Sequence, residues 1–181
     1  MSEISEIPNP VEQPELNQAI EPIVIETDQP GLVLVQLLTI DDDKEYLKLQ
    51  NDNIEHIAEF GNVIDPTLEE VTKRRTEKGR VRFGIRKDGI LVGMEGYTPS
   101  KDAREAEVSI LLGKDAVGHG YATAALKAMS AYVGHKFERV YAEVDPNNEK
   151  SIRLCERAGY ILQNGLIQAD WGSAAVLEFR K

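Results

Sequence analysis

Apolar and polar positions fall into short alternating stretches and longer helically spaced ones, and their order along the chain predicts the architecture. Residues 23–26 suit a short strand, Gln29-Pro30-Gly31 a turn, and residues 32–38 a secure strand. Asp41-Asp42-Asp43 occupy helix-cap and first-turn positions ahead of a helix reaching about Gln50. A second short helix runs through Ile54, Ile57 and Ala58. A third opens at Thr67-Leu68-Glu69-Glu70, which has capping-box spacing, and closes on Lys73, Arg74 and Arg75. Val81, Phe83 and Ile85 alternate, Asp88-Gly89 supplies a two-residue turn, and Ile90, Val92 and Met94 alternate again: a hairpin.

After a polar loop, residues 106–112 form the third strand of an antiparallel meander. A helix over residues 120–135 shows an apolar stripe of Ala122, Ala125, Leu126, Met129 and Val133. Val140, Ala142 and Val144 mark the next strand, and a helix through Ile152, Cys155 and Ala158 is stopped by Gly159. Two strands, 160–163 and 174–179, complete the chain. Strand, helices, meander, helix, strand, helix, strand, strand is the order of an α+β domain whose mixed, mostly antiparallel central sheet is flanked by helices. No internal repeat interrupts it, so residues 23–181 read as one domain.

Composition changes this picture at one end. Residues 1–22 hold five Glu and four Pro with no Lys or Arg, and read as a flexible acidic tail. The whole chain carries a formal charge of -10, which argues against phosphate-backbone and anionic-membrane partners. One cysteine excludes an intrachain disulfide and a Cys-rich zinc site, and the three histidines lack metal-ligand spacing. No metal is expected. The N-terminus lacks a cationic start and apolar stretch, so the expected location is cytoplasmic. Monomer and homodimer both remain open.

The chemistry concentrates in Val117-Gly118-His119-Gly120-Tyr121-Ala122-Thr123, between a strand and an amphipathic helix. Two glycines let successive amides converge, and the helix start adds unpaired donors and its positive dipole end. Together they suit a diphosphate. A P-loop is excluded because no Gly-Lys-Ser/Thr follows. A dinucleotide fingerprint is excluded because position 123 is Thr and no parallel βαβ unit surrounds it. A tight strand-to-helix turn alone would also account for two glycines.

Glu107-Val108-Ser109-Ile110-Leu111-Leu112-Gly113, followed by Gly118-His119-Gly120-Tyr121-Ala122-Thr123-Ala124-Ala125-Leu126, resembles the cofactor motif of GNAT acetyltransferases. Asn148-Glu149-Lys150-Ser151-Ile152-Arg153-Leu154, ending in Arg157-Ala158-Gly159-Tyr160, is similar to the second motif of the RimJ/RimL-like branch, named for ribosomal-protein N-terminal acetyltransferases. Asn53-Ile54-Glu55-His56-Ile57 resembles that branch's early helical segment. The similarity runs from about Leu32 to Phe179. Val117, Ala124, Ser109-Ile110-Leu111 and Asp115 depart from the family's usual residues, and none removes a backbone donor.

The resemblance implies acetyl-CoA as co-substrate. It places the pyrophosphate on the amides of Gly118, His119, Gly120, Tyr121 and Ala122, with Thr123 beside them. The pantetheine arm pairs like a strand with Leu111, Leu112 and Gly113, where two strands splay apart. Asn148 is assigned to that arm or to helix capping, and Ser151 to the same cofactor wall. The implied reaction is direct attack of a primary amine, a peptide or protein N-terminus or a small molecule, on the thioester in a ternary complex. An acyl-CoA-binding module without turnover is the alternative.

An α-amine of pKa near 8 is roughly a tenth neutral at pH 7, whereas a lysine side chain is neutral in fewer than about one molecule in a thousand. An α-amine therefore needs less help from a base. Glu107 is the candidate base or water-orienting group; its alternative is a solvated carboxylate or one paired with Arg104. Cys155 stands where many GNAT enzymes carry a tyrosine proposed as general acid; its alternative is burial, common for free cysteine. His119 is either a charge toward phosphate or a solvent-facing residue whose backbone does the binding. Tyr97, Ser109, Glu55 and His56 are candidates for the acceptor cleft.

Overall fold

The computed structural model describes residues 20–59, 64–77, 79–169 and 171–180. The acidic segment expected over residues 1–22 thus lies outside the described residues up to position 19. Eight strands form one sheet in the order β1-β2-β3-β4-β5-β6-β8-β7. They are β1 (Val24–Glu26), β2 (Leu32–Gln36), β3 (Val81–Lys87), β4 (Ile90–Pro99), β5 (Glu105–Leu112), β6 (Arg139–Val144), β7 (Tyr160–Ala169) and β8 (Gly172–Phe179). Every neighbouring pair is antiparallel except β5 and β6. The helices are α1 (Ile40–Asp52), α2 (Ile54–Glu59), α3 (Leu68–Thr76), α4 (Tyr121–Gly134) and α5 (Glu149–Arg157).

Local chemistry explains the joints. Asp88 and Gly89 both adopt positive φ (49° and 85°), the conformation whose twist matches a two-residue hairpin. Thr67 caps α3, its hydroxyl accepting from the Glu70 amide at 3.2 Å. The start of α1 differs from the expectation. Thr39, not the aspartate run, is the cap, and Asp42 sits at the third helical position with its carboxylate accepting from the Thr39 amide at 2.8 Å. The three aspartates all lie inside the first turn, where negative charge complements the helix dipole. The last two strands also run longer than expected, reaching Ala169 and starting at Gly172.

Alternation divides the core between the two faces of the sheet. On β5, Val108, Ile110 and Leu112 pack with α4 residues Ala125, Leu126 and Met129. Leu111 instead joins Tyr46, Ile57 and Val71 from α1, α2 and α3. Beneath α4, the Ser130 hydroxyl donates to the Leu126 carbonyl at 2.5 Å and lies 2.5 Å from the Tyr160 hydroxyl. Among the described residues, no helix is long and apolar enough to cross a membrane.

One buried group breaks the apolar pattern. Glu95 on β4 is 0% exposed, and neither carboxyl oxygen has a hydrogen-bond partner. It pairs with Phe83 on one side and Ile110 on the other, which puts it on the α4 face near Tyr160. Burial raises its pKa well above the ordinary 4.5, so the folded protein holds it as a neutral acid. The unfolded chain ionises near 4.5, so the contribution of this group to stability is most favourable below that value and falls as pH rises above it toward the folded pKa. Glu95→Met is expected to raise unfolding free energy at pH 7 by about 1–3 kcal/mol and to flatten this dependence, measured by urea denaturation between pH 4 and 8.

Candidate functional site

A fork in the sheet makes the site. The parallel pairing of β5 and β6 covers only Glu105 with Arg139, Ala106 with Val140 and Glu107 with Tyr141. Beyond that rung β6 pairs through Val144 with β8, while β5 continues to Leu112 paired only with β4. The strands therefore separate just past Glu107, and residues 108–112 present an edge without a β6 partner. An extended ligand can bond to such an edge as an added strand. The cleft that opens there measures about 670 Å³. Its lining includes Ile110, Leu111 and Leu112 from β5, Ser151 and Leu154 from α5, and His56 and Ile57 from α2.

One end of the cleft is the turn into α4, whose unpaired amides are of the kind that suits an anion. Gly118 and Gly120 hold φ of 89° and 79°, a region that disfavours other residues. A Cβ at Gly118 would meet nothing within 4 Å, so backbone conformation, not crowding, requires glycine there. Gly120 caps α4 without a side-chain bond, and the first turn carries no acid. The first helical bond is Ala124 amide to Gly120 carbonyl at 3.1 Å, which leaves the Tyr121, Ala122 and Thr123 amides for a ligand. Gly118, Gly120, Tyr121, Ala122 and Thr123 all line the cleft. In contrast, α1 and α3 have side-chain caps and first-turn acids that occupy the same positions.

The expected cofactor residues are mostly brought together, with three displaced from the lining. His119 does not line the cleft: its ring stacks on Tyr121 with centroids 5.3 Å apart. Gly113 also lies outside the lining, its amide donating to the Val92 carbonyl at 2.9 Å. Asn148 caps α5, its side-chain oxygen accepting from the Ser151 amide at 3.0 Å. The sequence reading missed a basic wall: Lys150, Arg153 and Arg157 line the cleft from one face of α5. Their spacing of three and four residues is the available signal.

The two candidate catalytic groups have opposite settings. Glu107 is half-buried at the fork's apex. Val108 turns into the α4 core, so the Glu107 side chain takes the other face. Burial first, and the neighbouring Glu143 second, raise its pKa above the usual carboxylate value, against an opposing pull from Arg80. Arg104, offered as its partner, instead pairs with Glu138 at 2.6 Å. Cys155 is 4% exposed within the α4-side core, and its neighbour Leu154 lines the cleft. Burial pushes the thiol up to about 11. Tyr97 likewise packs into that core, edge-on to Phe137 at 5.8 Å. His56 lines the cleft; Ser109 and Glu55 are exposed. Among the described residues no group of three or more His, Cys, Asp or Glu is placed to hold a metal.

Residues 31–161 match the acetyltransferase (GNAT) domain, and the chain belongs to that family. No curated protein matches it closely in sequence. Many solved structures share the fold, the following three among them. AAC(6')-Ib in complex with paromomycin and acetyl-CoA is 19% identical, with TM-score 0.73 over 83% of this chain and 94% of that one. The apo ribosomal L7/L12 alpha-N-protein acetyltransferase RimL is 13% identical, with TM-score 0.73 over 87% and 93%. Mycobacterium smegmatis RimJ in complex with CoA-disulfide is 18% identical, with TM-score 0.73 over 88% and 90%.

The buried thiol has a direct readout. Ellman's reagent is expected to leave Cys155 unmodified in the folded protein and to react within the mixing time after unfolding in guanidinium; rapid reaction under native conditions would contradict the placement.

Proposed function

We propose that the protein transfers the acetyl group of acetyl-CoA to a primary amine, a peptide or protein N-terminus or a small molecule, by direct attack in a ternary complex. The observation that carries this reading is the coincidence of the fork, the uncapped α4 start and a carboxylate at the fork's apex. Acetyl-CoA supplies an activated thioester. The chain's groups fit it. The Tyr121, Ala122 and Thr123 amides and the Lys150, Arg153 and Arg157 wall suit the phosphates, and the free edge of residues 108–112 suits the pantetheine arm.

Glu107 receives the amine's proton, directly or through one water, as the nitrogen bonds to the carbonyl carbon; the carbon–sulfur bond then breaks, and coenzyme A leaves as a thiolate that takes its proton from solvent. Its raised pKa makes it a stronger base than an ordinary carboxylate while leaving it able to ionise. Cys155 takes no proton-transfer role in this scheme, because its thiol faces the core.

Charge on the acceptor side favours a cation. Val140, Ala142 and Val144 turn into the α4 core, so Arg139, Tyr141 and Glu143 occupy the opposite face of β6. Glu105 and Glu178 flank Arg139, at 3.1 Å and 2.9 Å, and Glu107 adjoins them. Four carboxylates (Glu105, Glu107, Glu143 and Glu178) outnumber Arg139 and Arg80 and attract an ammonium, which must then lose a proton to react. An α-amine does so more readily than a lysine side chain. The structural neighbours bound to an aminoglycoside or described as acting on a ribosomal-protein N-terminus mark two acceptor classes to test first.

Thiol release from acetyl-CoA, measured across peptide N-termini, polyamines and aminoglycosides, tests the function. Turnover with at least one class is expected. Tight acetyl-CoA binding with no turnover anywhere would instead favour an acyl-CoA-binding module. With an active acceptor, Glu107→Gln is expected to lower kcat about 10²–10⁴-fold. The wild-type rate is expected to fall as acidification protonates Glu107, at a pH above the ordinary carboxylate range, and this limb is expected to vanish in the variant.

A further inference from the structure

The diphosphate loop is held from outside by a residue distant in sequence. Gln29 belongs to the turn between β1 and β2, and its side-chain Nε2 donates to the His119 carbonyl at 3.0 Å. The same nitrogen stands 3.0 Å from where a Cβ on Gly120 would be. We infer that Gln29 is a positioning residue that aims the Gly120 amide at the cofactor diphosphate. This rests on the reading of the cleft as an acetyl-CoA site.

The reason is peptide geometry. The His119 carbonyl and the Gly120 N–H belong to one peptide unit, and no described peptide bond is cis. In a trans unit the C=O and N–H point in opposite directions. With the carbonyl bonded outward to Gln29, the Gly120 N–H points the other way, toward the cleft that Gly118 and Gly120 line. Both glycines occupy positive φ and lack a Cβ, so the intervening peptide planes have more than one sterically open orientation. Fixing one carbonyl selects one orientation.

Gln29 can do this because its own backbone is fixed. Its amide donates to the Thr27 hydroxyl at 3.1 Å, and that hydroxyl donates to the Leu32 carbonyl at 2.8 Å. The Leu32 amide returns to the Gln29 carbonyl at 3.1 Å. From β3, Lys87 donates to the Pro30 carbonyl at 3.2 Å, and the Asp88 amide to the Gly31 carbonyl at 2.8 Å. The turn is thus tied to the hairpin, and the glutamine reaches the loop from a rigid base. Preorganisation of this kind acts on ligand affinity more than on folding.

The test is calorimetry with acetyl-CoA together with the amide spectrum of ¹⁵N-labelled protein. Gln29→Met keeps length and removes the donor; Gln29→Glu keeps shape and turns a carboxylate toward a carbonyl oxygen. Loss of one such bond is expected to raise the Kd of Gln29→Met about three- to tenfold, with a larger rise for Gln29→Glu. A shift of the Gly120 amide is expected when acetyl-CoA is added to the wild type and is expected to be smaller in both variants, while the thermal midpoints stay at the wild-type value. Wild-type affinity and an undiminished Gly120 shift in Gln29→Met would overturn the positioning role, as would a weakened affinity that tracks a lowered thermal midpoint. Wild-type protein without affinity for acetyl-CoA would overturn the reading of the cleft, and this role with it.

Discussion

The site depends on where β6 spends its hydrogen bonds. Three rungs join it to β5, and then Ala142, Glu143 and Val144 continue their pairing with β8 alone. Had β6 stayed beside β5, residues 108–112 would be an interior strand with no groups to offer. The divergence creates an exposed edge inside a sheet, a feature that proteins ordinarily cover. Here a cleft opens over it, closed at one end by the α4 turn and bounded by α5 and α2.

Electrostatics sharpen the same division of labour. The chain is acidic overall, yet the cofactor cleft combines an α4 start free of first-turn acids with three cations on α5. The acceptor side of β5 and β6 carries glutamates instead. Under the proposed function, this distribution of charged side chains suits an anionic donor on one side of the fork and a cationic acceptor on the other. Backbone amides would suit the donor proposed for this site because their direction is set by the fold rather than by side-chain rotamers.

Features of local origin were legible in the sequence. The Asp88-Gly89 hairpin, the paired glycines before α4 and the Thr67 cap each depend on a few adjacent residues, and each stands where their chemistry put it. What was missed or left open depends on facing partners. Cys155 shares α5 with Leu154 and Ser151, and only packing against α4 decides which of them turns inward. Arg104 was near Glu107 in sequence but found Glu138 across the loop. Thr39 outcompeted the aspartates as cap because Asp42 could answer it reciprocally three residues on. Glu95 sat unremarked in an alternating strand, since alternation alone does not say which of two faces is sealed.

Amide hydrogen exchange with and without acetyl-CoA addresses the central claim most directly. Slowed exchange is expected to be confined to residues 108–112 and to 118–123, the free edge and the uncapped helix start proposed to receive the ligand. Protection spread evenly over the sheet, or none at these two segments despite bound acetyl-CoA, would contradict it.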